Sequence, residues 1–161
     1  MSARIGQGYD VHAFSDDADR PLVLGGVPVE GRGLAGHSDA DVVTHALADA
    51  LLGAAGLGDL GQHFPSTDAA WSGADSVALL LEVVAMVGRA GYRVVNADCT
   101  VVAQAPRLAP HTAAMAERLG EALGSPVSVK ATSTDGLGSI GRGEGIAALA
   151  VVLLETETGT P

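Results

Sequence analysis

The hydrophobic pattern changes period several times along the chain, and each change marks an element. Residues 4–9 read as a short first strand. Leu22-Val23-Leu24 and Val27-Pro28-Val29 flank Gly25-Gly26, the pattern of a tight hairpin. Pro28 cannot donate to a ladder, so the second arm is an edge. Ser38-Asp39-Ala40-Asp41 reads as a capping signature, with Ser38 as the cap, before an Ala/Leu-rich helix ending near Gly53 or Gly56. A long loop over residues 59–68 leads to a second helix at 75–90, with Gly91 just past its end. Residues 92–104 are β-branched and strand-like, and 109–123 form a third helix stopped by Gly124, with Pro110 tolerated in its first turn. Two more strands, 126–132 and 145–155, are joined by a glycine-rich loop.

This order predicts an α/β fold of the α+β type: one mixed β-sheet with helices packed on one face, plus a small hairpin. At 161 residues the chain makes a single domain, residues 1–157, with a frayed tail at 158–161. Aromatics are 3% and hydrophobic residues 47%, so the core must rest on Ala, Val and Leu. A formal charge of −10 argues against nucleic acid and anionic membranes as partners, because either polyanion would be repelled. The same charge, with nine Lys and Arg in all, means that any phosphate site needs metal ions and backbone N–H groups. Cys99 is the one cysteine, which rules out an intrachain disulfide and a thiolate zinc cluster and suits a small core position. No basic-then-apolar leader is visible, and the longest apolar run, 146–154, is far short of the ~20 residues of a membrane helix. The expected location is cytoplasmic.

Chemistry is carried by three constellations. On an extended segment, residues two apart face the same way, so Asp10 and His12 converge while Val11 points to the core. A surface turn after a strand would read the same. Asp41, His45 and Asp49, four apart, form one polar stripe on an otherwise apolar helix. That stripe is either a solvated face or a metal face on which a carboxylate fixes the tautomer of the histidine. Two histidines and one aspartate would leave a tetrahedral zinc with one open position. His37 and Ser38, at the start of that helix, offer a cap or a phosphate seat. The third group is Lys130, Ala131, Thr132, Ser133, Thr134 and Asp135, followed by five glycines, either a plain turn or a cradle for oxyanions. Arg142 and Glu144 lie among those glycines and suit an ion pair.

Taken together, the segments GYDVHAF, HSDADVVTHALADALLGAAGLGD, FPSTD, AQAPR, VKATSTD and GRGEGIA closely resemble the 2-C-methyl-D-erythritol 2,4-cyclodiphosphate synthase family of the non-mevalonate isoprenoid pathway. The resemblance runs from residue 4 to residue 154. It implies a homotrimer with active sites at subunit interfaces and zinc on Asp10, His12 and His45. It also implies a second divalent ion, Mg2+ or Mn2+, on Asp135. His37 and Ser133 match the transition-state stabilisers. The matching substrate segments are Asp10 and His12; His37 and Ser38; Asp59, Leu60 and Gly61; Phe64, Pro65, Ser66, Thr67 and Asp68; Ala103, Gln104, Ala105, Pro106, Arg107, Leu108 and Ala109; and Thr132, Ser133, Thr134 and Asp135. Arg142 matches an arginine of the trimer's central cavity, where isoprenoid diphosphates bind.

The implied substrate is a cytidine-diphosphate derivative of methylerythritol carrying a 2-phosphate, which cyclises with release of CMP. Several positions depart from the usual pattern: Asp135 stands for Glu, Ser133 for Thr, Gln7 for His, Ser66 for Asp and Ser139 for an aromatic. None of them is a zinc ligand. The rival readings are a metal-dependent phosphohydrolase, a non-catalytic trimer binding isoprenoid diphosphates, and a purely structural trimer.

Overall fold

A computed structural model of the chain describes residues 2–157, so the tail expected at 158–161 lies outside the described residues. The elements run β1 (Ala3–Ala13), β2 (Leu22–Leu24), β3 (Val27–Val29), α1 (Val42–Ala55), α2 (Leu60–His63), α3 (Ser76–Arg89), β4 (Tyr92–Val102), α4 (Thr112–Leu123), β5 (Val127–Thr132), α5 (Gly138–Gly141) and β6 (Gly145–Thr156). The loop expected at 59–68 thus contains the short helix α2, and the glycine-rich loop contains α5. Asp59 explains the first: its carboxylate accepts the Gln62 N–H at 2.9 Å and caps a turn.

The main sheet has the order β1-β6-β4-β5, with β2-β3 as a separate hairpin. β6 is antiparallel to both β1 and β4, and β4 is parallel to β5. Consequently β1, β4 and β5 all end at one rim of the sheet. β1 is longer than expected, because it pairs with β6 over its whole length, from Ala3 opposite Glu155 to Ala13 opposite Gly145.

Helices cover one face only. α1 is apolar almost all round, with Val42, Val43, Ala46, Leu47, Leu51 and Leu52 fully buried, as a central helix requires. A Cβ on Gly6 would fall 1.9 Å from the Ala50 carbonyl oxygen, and one on Gly8 would fall 1.8 Å from that of Ala46. Only glycine lets the α1 backbone rest directly on β1. Helix α4 is amphipathic, burying Met115, Leu119 and Leu123, and stops where Gly124 takes φ 63°. The core is mostly Val, Leu and Ala, with Cys99 fully buried within it.

Two local expectations are overturned. The N-cap of α1 is Asp41, not Ser38; its carboxylate accepts the Val43 and Thr44 N–H groups at 3.2 and 3.1 Å. Val11 does not point to the core. It faces the uncovered side of the sheet with Ile5, Tyr9 and Val151, which are 47%, 76%, 57% and 46% exposed respectively. The period of two was right, but the helices cover the opposite face, beneath which Gly6, Gly8, Asp10 and His12 are aligned.

Candidate active site

The contact of α1 with β1 through Gly6 and Gly8 sets the position of everything at the rim. Two residues further along the same strand face, Asp10 meets His45 of α1. Asp10 Oδ2 lies 3.0 Å from His12 Nε2 and 3.1 Å from His45 Nδ1. One ligand atom from each residue lies within 4.8 Å of the others, so all three can share one cation. The edge of a four-coordinate site with N and O bonds of about 2.0–2.1 Å is roughly 3.3 Å, close to both separations. The second nitrogen of His12 is already occupied: Nδ1 donates to the Ala35 carbonyl at 2.6 Å, which leaves Nε2 as the ligand atom. The residues therefore fit a divalent cation.

Electrostatics agree with the geometry. Burial works to raise the Asp10 carboxyl, but hydrogen bonds from His12 and His45 and their charges outweigh it, holding Asp10 well below the usual carboxylate range. The hydrogen bond to Asp10 raises His12 above its ordinary 6.5, against burial and the nearby Arg20 charge.

The expected stripe of Asp41, His45 and Asp49 does not form one face. Asp41 turns inward, fully buried, and accepts the Gly25 and Gly26 N–H groups of the hairpin at 2.8 and 2.6 Å, besides the Thr44 hydroxyl at 2.6 Å. Burial pushes its carboxyl up, opposed by these donors. Asp49 accepts the Leu60 N–H at 2.7 Å and so anchors α2. The carboxylate beside His45 is Asp10, which spacing along the helix could not reveal.

A cavity of about 160 Å3 opens over this centre, lined by His12, His37, Ser38, His45, Leu60, Phe64, Ser66, Trp71 and Leu79. No lysine or arginine is among these lining residues. His37 is pinned on both sides: its Nε2 lies 3.1 Å from the Asp68 carbonyl oxygen, and its own carbonyl accepts the Gly73 N–H at 2.8 Å. Ser38 Oγ accepts the Ala40 N–H at 3.1 Å and lies 3.2 Å from His45 Nε2. Phe64 meets Trp71 edge-on, with ring centroids 4.9 Å apart. Gly61, Pro65 and Thr67 belong to the same loop without lining this cavity.

The remaining candidates lie at the same rim but at the other edge of the sheet. Ala103, Gln104, Pro106, Arg107, Leu108, Ala109 and Thr132 line a separate cavity of about 280 Å3. Ala105 is in the same loop without lining it. Ser133, Thr134 and Asp135 follow β5, where the Ser133 hydroxyl donates to Asp135 Oδ1 at 3.1 Å and the Thr134 hydroxyl donates to the Leu137 carbonyl at 2.6 Å. Asp135 is not part of the Asp10, His12 and His45 cluster. Arg142 donates to Glu144 at 2.6 Å on an exposed loop, the ion pair its spacing suggested. One chain therefore carries two groups of candidate residues, at the ends of β1 and of β5, strands that lie three interstrand spacings or about 14 Å apart.

Several contributors escaped the sequence. Arg20 reaches both sides of His37, donating to the Gly36 and Ser38 carbonyls at 3.0 and 2.5 Å. Ser76, at the start of α3, lies 2.8 Å from His45 Nε2. Neither has a local signal, since each contact crosses from a distant segment. Trp71 was findable as the one tryptophan of the chain, in a loop.

The model of the YgbB family matches residues 3–155. A 2-C-methyl-D-erythritol 2,4-cyclodiphosphate synthase of Moorella thermoacetica is 61% identical over 155 residues, covering 94% of each chain. The enzyme of the same name from Syntrophobacter fumaroxidans is 58% identical over 158 residues, covering 96% of this chain and 98% of its own. Among solved structures, the CDP complex of Plasmodium falciparum IspF superimposes with a TM-score of 0.85 at 30% identity, covering 98% of both chains. The family match over residues 3–155, the shared fold and the identity over nearly the full length of these relatives place one conclusion beyond the geometry: the chain belongs to the YgbB family, alongside relatives that bear the name 2-C-methyl-D-erythritol 2,4-cyclodiphosphate synthase.

Proposed function

We propose that this enzyme converts 4-diphosphocytidyl-2-C-methyl-D-erythritol 2-phosphate to 2-C-methyl-D-erythritol 2,4-cyclodiphosphate and CMP. The observation that carries this reading is the convergence of Asp10, His12 and His45 under a cavity walled by the segments that resemble the family. The 2-phosphate oxygen attacks the diphosphate phosphorus attached to methylerythritol. A new P–O bond closes the ring, and the bond to the CMP oxygen breaks, its electron pair leaving with CMP. The nucleophile is already an anion, so no activated Ser or Cys is needed. The protein's task is alignment of two mutually repelling phosphates, which can be worth about 7–11 kcal/mol of barrier.

The ion on Asp10, His12 and His45 is proposed to be Zn2+, which when bound supplies positive charge to phosphate oxygens in a cavity whose lining lacks Lys and Arg. Asp135 is proposed to hold a second divalent ion, Mg2+ or Mn2+. His37 and Ser133 are assigned to stabilising charge on the transferred phosphoryl group, and the remaining residues of the two cavities and their loops to gripping substrate. Residues 103–109 and 132–135 would receive the cytidine diphosphate end, in keeping with the CDP named for the Plasmodium relative. The cytoplasm is the proposed compartment; among the described residues no helix is long and apolar enough to cross a membrane.

The uncovered sheet face, with Ile5, Tyr9, Val11 and Val151 exposed, supports assembly into a homotrimer. The two half-sites on opposite edges support active sites shared between neighbouring copies. An isoprenoid diphosphate in the central cavity near Arg142 completes the proposal.

Phosphorus NMR of the product from the cytidine substrate tests the reaction. A cyclic diphosphate with stoichiometric CMP is expected; release of inorganic phosphate would identify a phosphohydrolase, and binding without turnover a non-catalytic receptor. His45→Ala is expected to lose bound metal and turnover while the oligomer persists.

A further inference from the structure

We propose that Ser76 is a positioning residue for the metal centre, because its hydroxyl, committed to Asp39, accepts from His45 Nε2 and so leaves Nδ1, beside Asp10, as the nitrogen that ligates a cation. The inference rests on the metal reading of Asp10, His12 and His45.

Ser76 opens α3 and is 1% exposed. It is not needed as a helix cap, since Asp75 already accepts the Val77 N–H at 2.8 Å. A buried hydroxyl in that position calls for another reason. Proton bookkeeping supplies it. Asp39 takes the Ser76 N–H on Oδ2 at 3.0 Å, and takes the Ser76 hydroxyl and the Asp41 N–H on Oδ1. With its single proton on Asp39, Ser76 Oγ meets His45 Nε2 at 2.8 Å as an acceptor. Ser38 Oγ is a second, longer neighbour of that nitrogen at 3.2 Å. With Ser76 accepting at the shorter distance, Nε2 carries a ring proton. Nδ1, which shares a proton with Asp10 Oδ2 at 3.1 Å in the metal-free protein, is the nitrogen left to ligate a cation that replaces that proton. A backbone carbonyl does the same for His12. Each histidine thus has its non-ligating nitrogen held by a different kind of acceptor. The arrangement also joins distant parts of the cavity. Asp39 donates its own N–H to the Ala74 carbonyl at 3.1 Å, so the end of the loop that carries Phe64 and Trp71 is tied to the group that orients His45.

The test is a zinc titration of the full-length protein against a fluorescent chelator, with thermal melting of the metal-free forms alongside. S76A is expected to bind zinc roughly 10–100-fold more weakly than the parent. D39N is a second, nearly isosteric variant. Its NH2 group must face at least one of the donors that Asp39 accepts, the Ser76 N–H on one oxygen or the Ser76 hydroxyl and Asp41 N–H on the other. That breaks the anchor that commits the Ser76 hydroxyl, so it too is expected to weaken binding. The double variant is expected to lose no more than S76A alone, as for groups acting through one chain. In the zinc-loaded parent, nitrogen NMR of the His45 ring should show a protonated Nε2. A parent protein that binds no zinc would overturn the metal reading itself. Binding by the parent with equal affinity in S76A, even if S76A melts earlier, would overturn the positioning role alone.

Discussion

Asp10 Oδ2 stands between two imidazole nitrogens, and that placement sets a pH response. The carboxylate raises His12 above 6.5, and the histidines hold Asp10 below its ordinary 3.8. In the metal-free protein the His12 contribution to stability is full below pH 6.5 and is lost as pH rises through the raised value. The Asp10 contribution is present above 3.8 and is lost as pH falls through the lowered value. A cation must displace the His12 proton, so metal affinity should fall on acidification with a midpoint above 6.5. Chelator competition across a pH series checks this, and a midpoint below that value would contradict it. Asp10 and His12 were legible because alternation in a strand puts both on one side whichever side is buried. His45 was legible as the one histidine on an apolar helix. Its partners were not: Asp41 and Asp49 have the right spacing, yet unsatisfied N–H groups of the hairpin and of α2 claim them first.

At the scale of elements, the site depends on how closely α1 lies on β1. The helix backbone touches the strand at Gly6 and Gly8, and the next residue in that row is Asp10. Gly8→Ala would drive a methyl into the Ala46 carbonyl, which no rotamer change can relieve. It should destabilise the fold by at least about 1–3 kcal/mol and push His45 away from Asp10. Denaturant melts and metal titration of that variant measure both effects; unchanged metal binding would show that the close approach does not set the site. The helices and most strands were readable from period, caps and glycine stops. The partner of β1 was not, because β6 lies more than a hundred residues away and pairing leaves no local signature. For the same reason the covered side of the sheet could not be assigned, and Val11 was placed on the wrong one.

For the whole molecule, the sheet has one covered and one bare face, and the bare face is most apolar along β1 and β6. Val151→Lys, in the middle of that surface, should shift the protein toward monomers in sedimentation analysis while the helical side stays folded by circular dichroism. An unchanged assembly would exclude this face as the contact. The sequence could not have revealed the surface directly, since alternation defines two sides of a strand without saying which meets a neighbour.

Because β1 and β5 border opposite sides yet finish together, losses on the two borders should be separable. If the proposed roles hold, a preparation crippled at His45 and another crippled at Asp135 should each be inert. When they are unfolded and refolded as a mixture, every hybrid of the proposed trimer should regain roughly one intact centre in three. Such rescue by pooling two dead proteins would be impossible if each polypeptide worked alone.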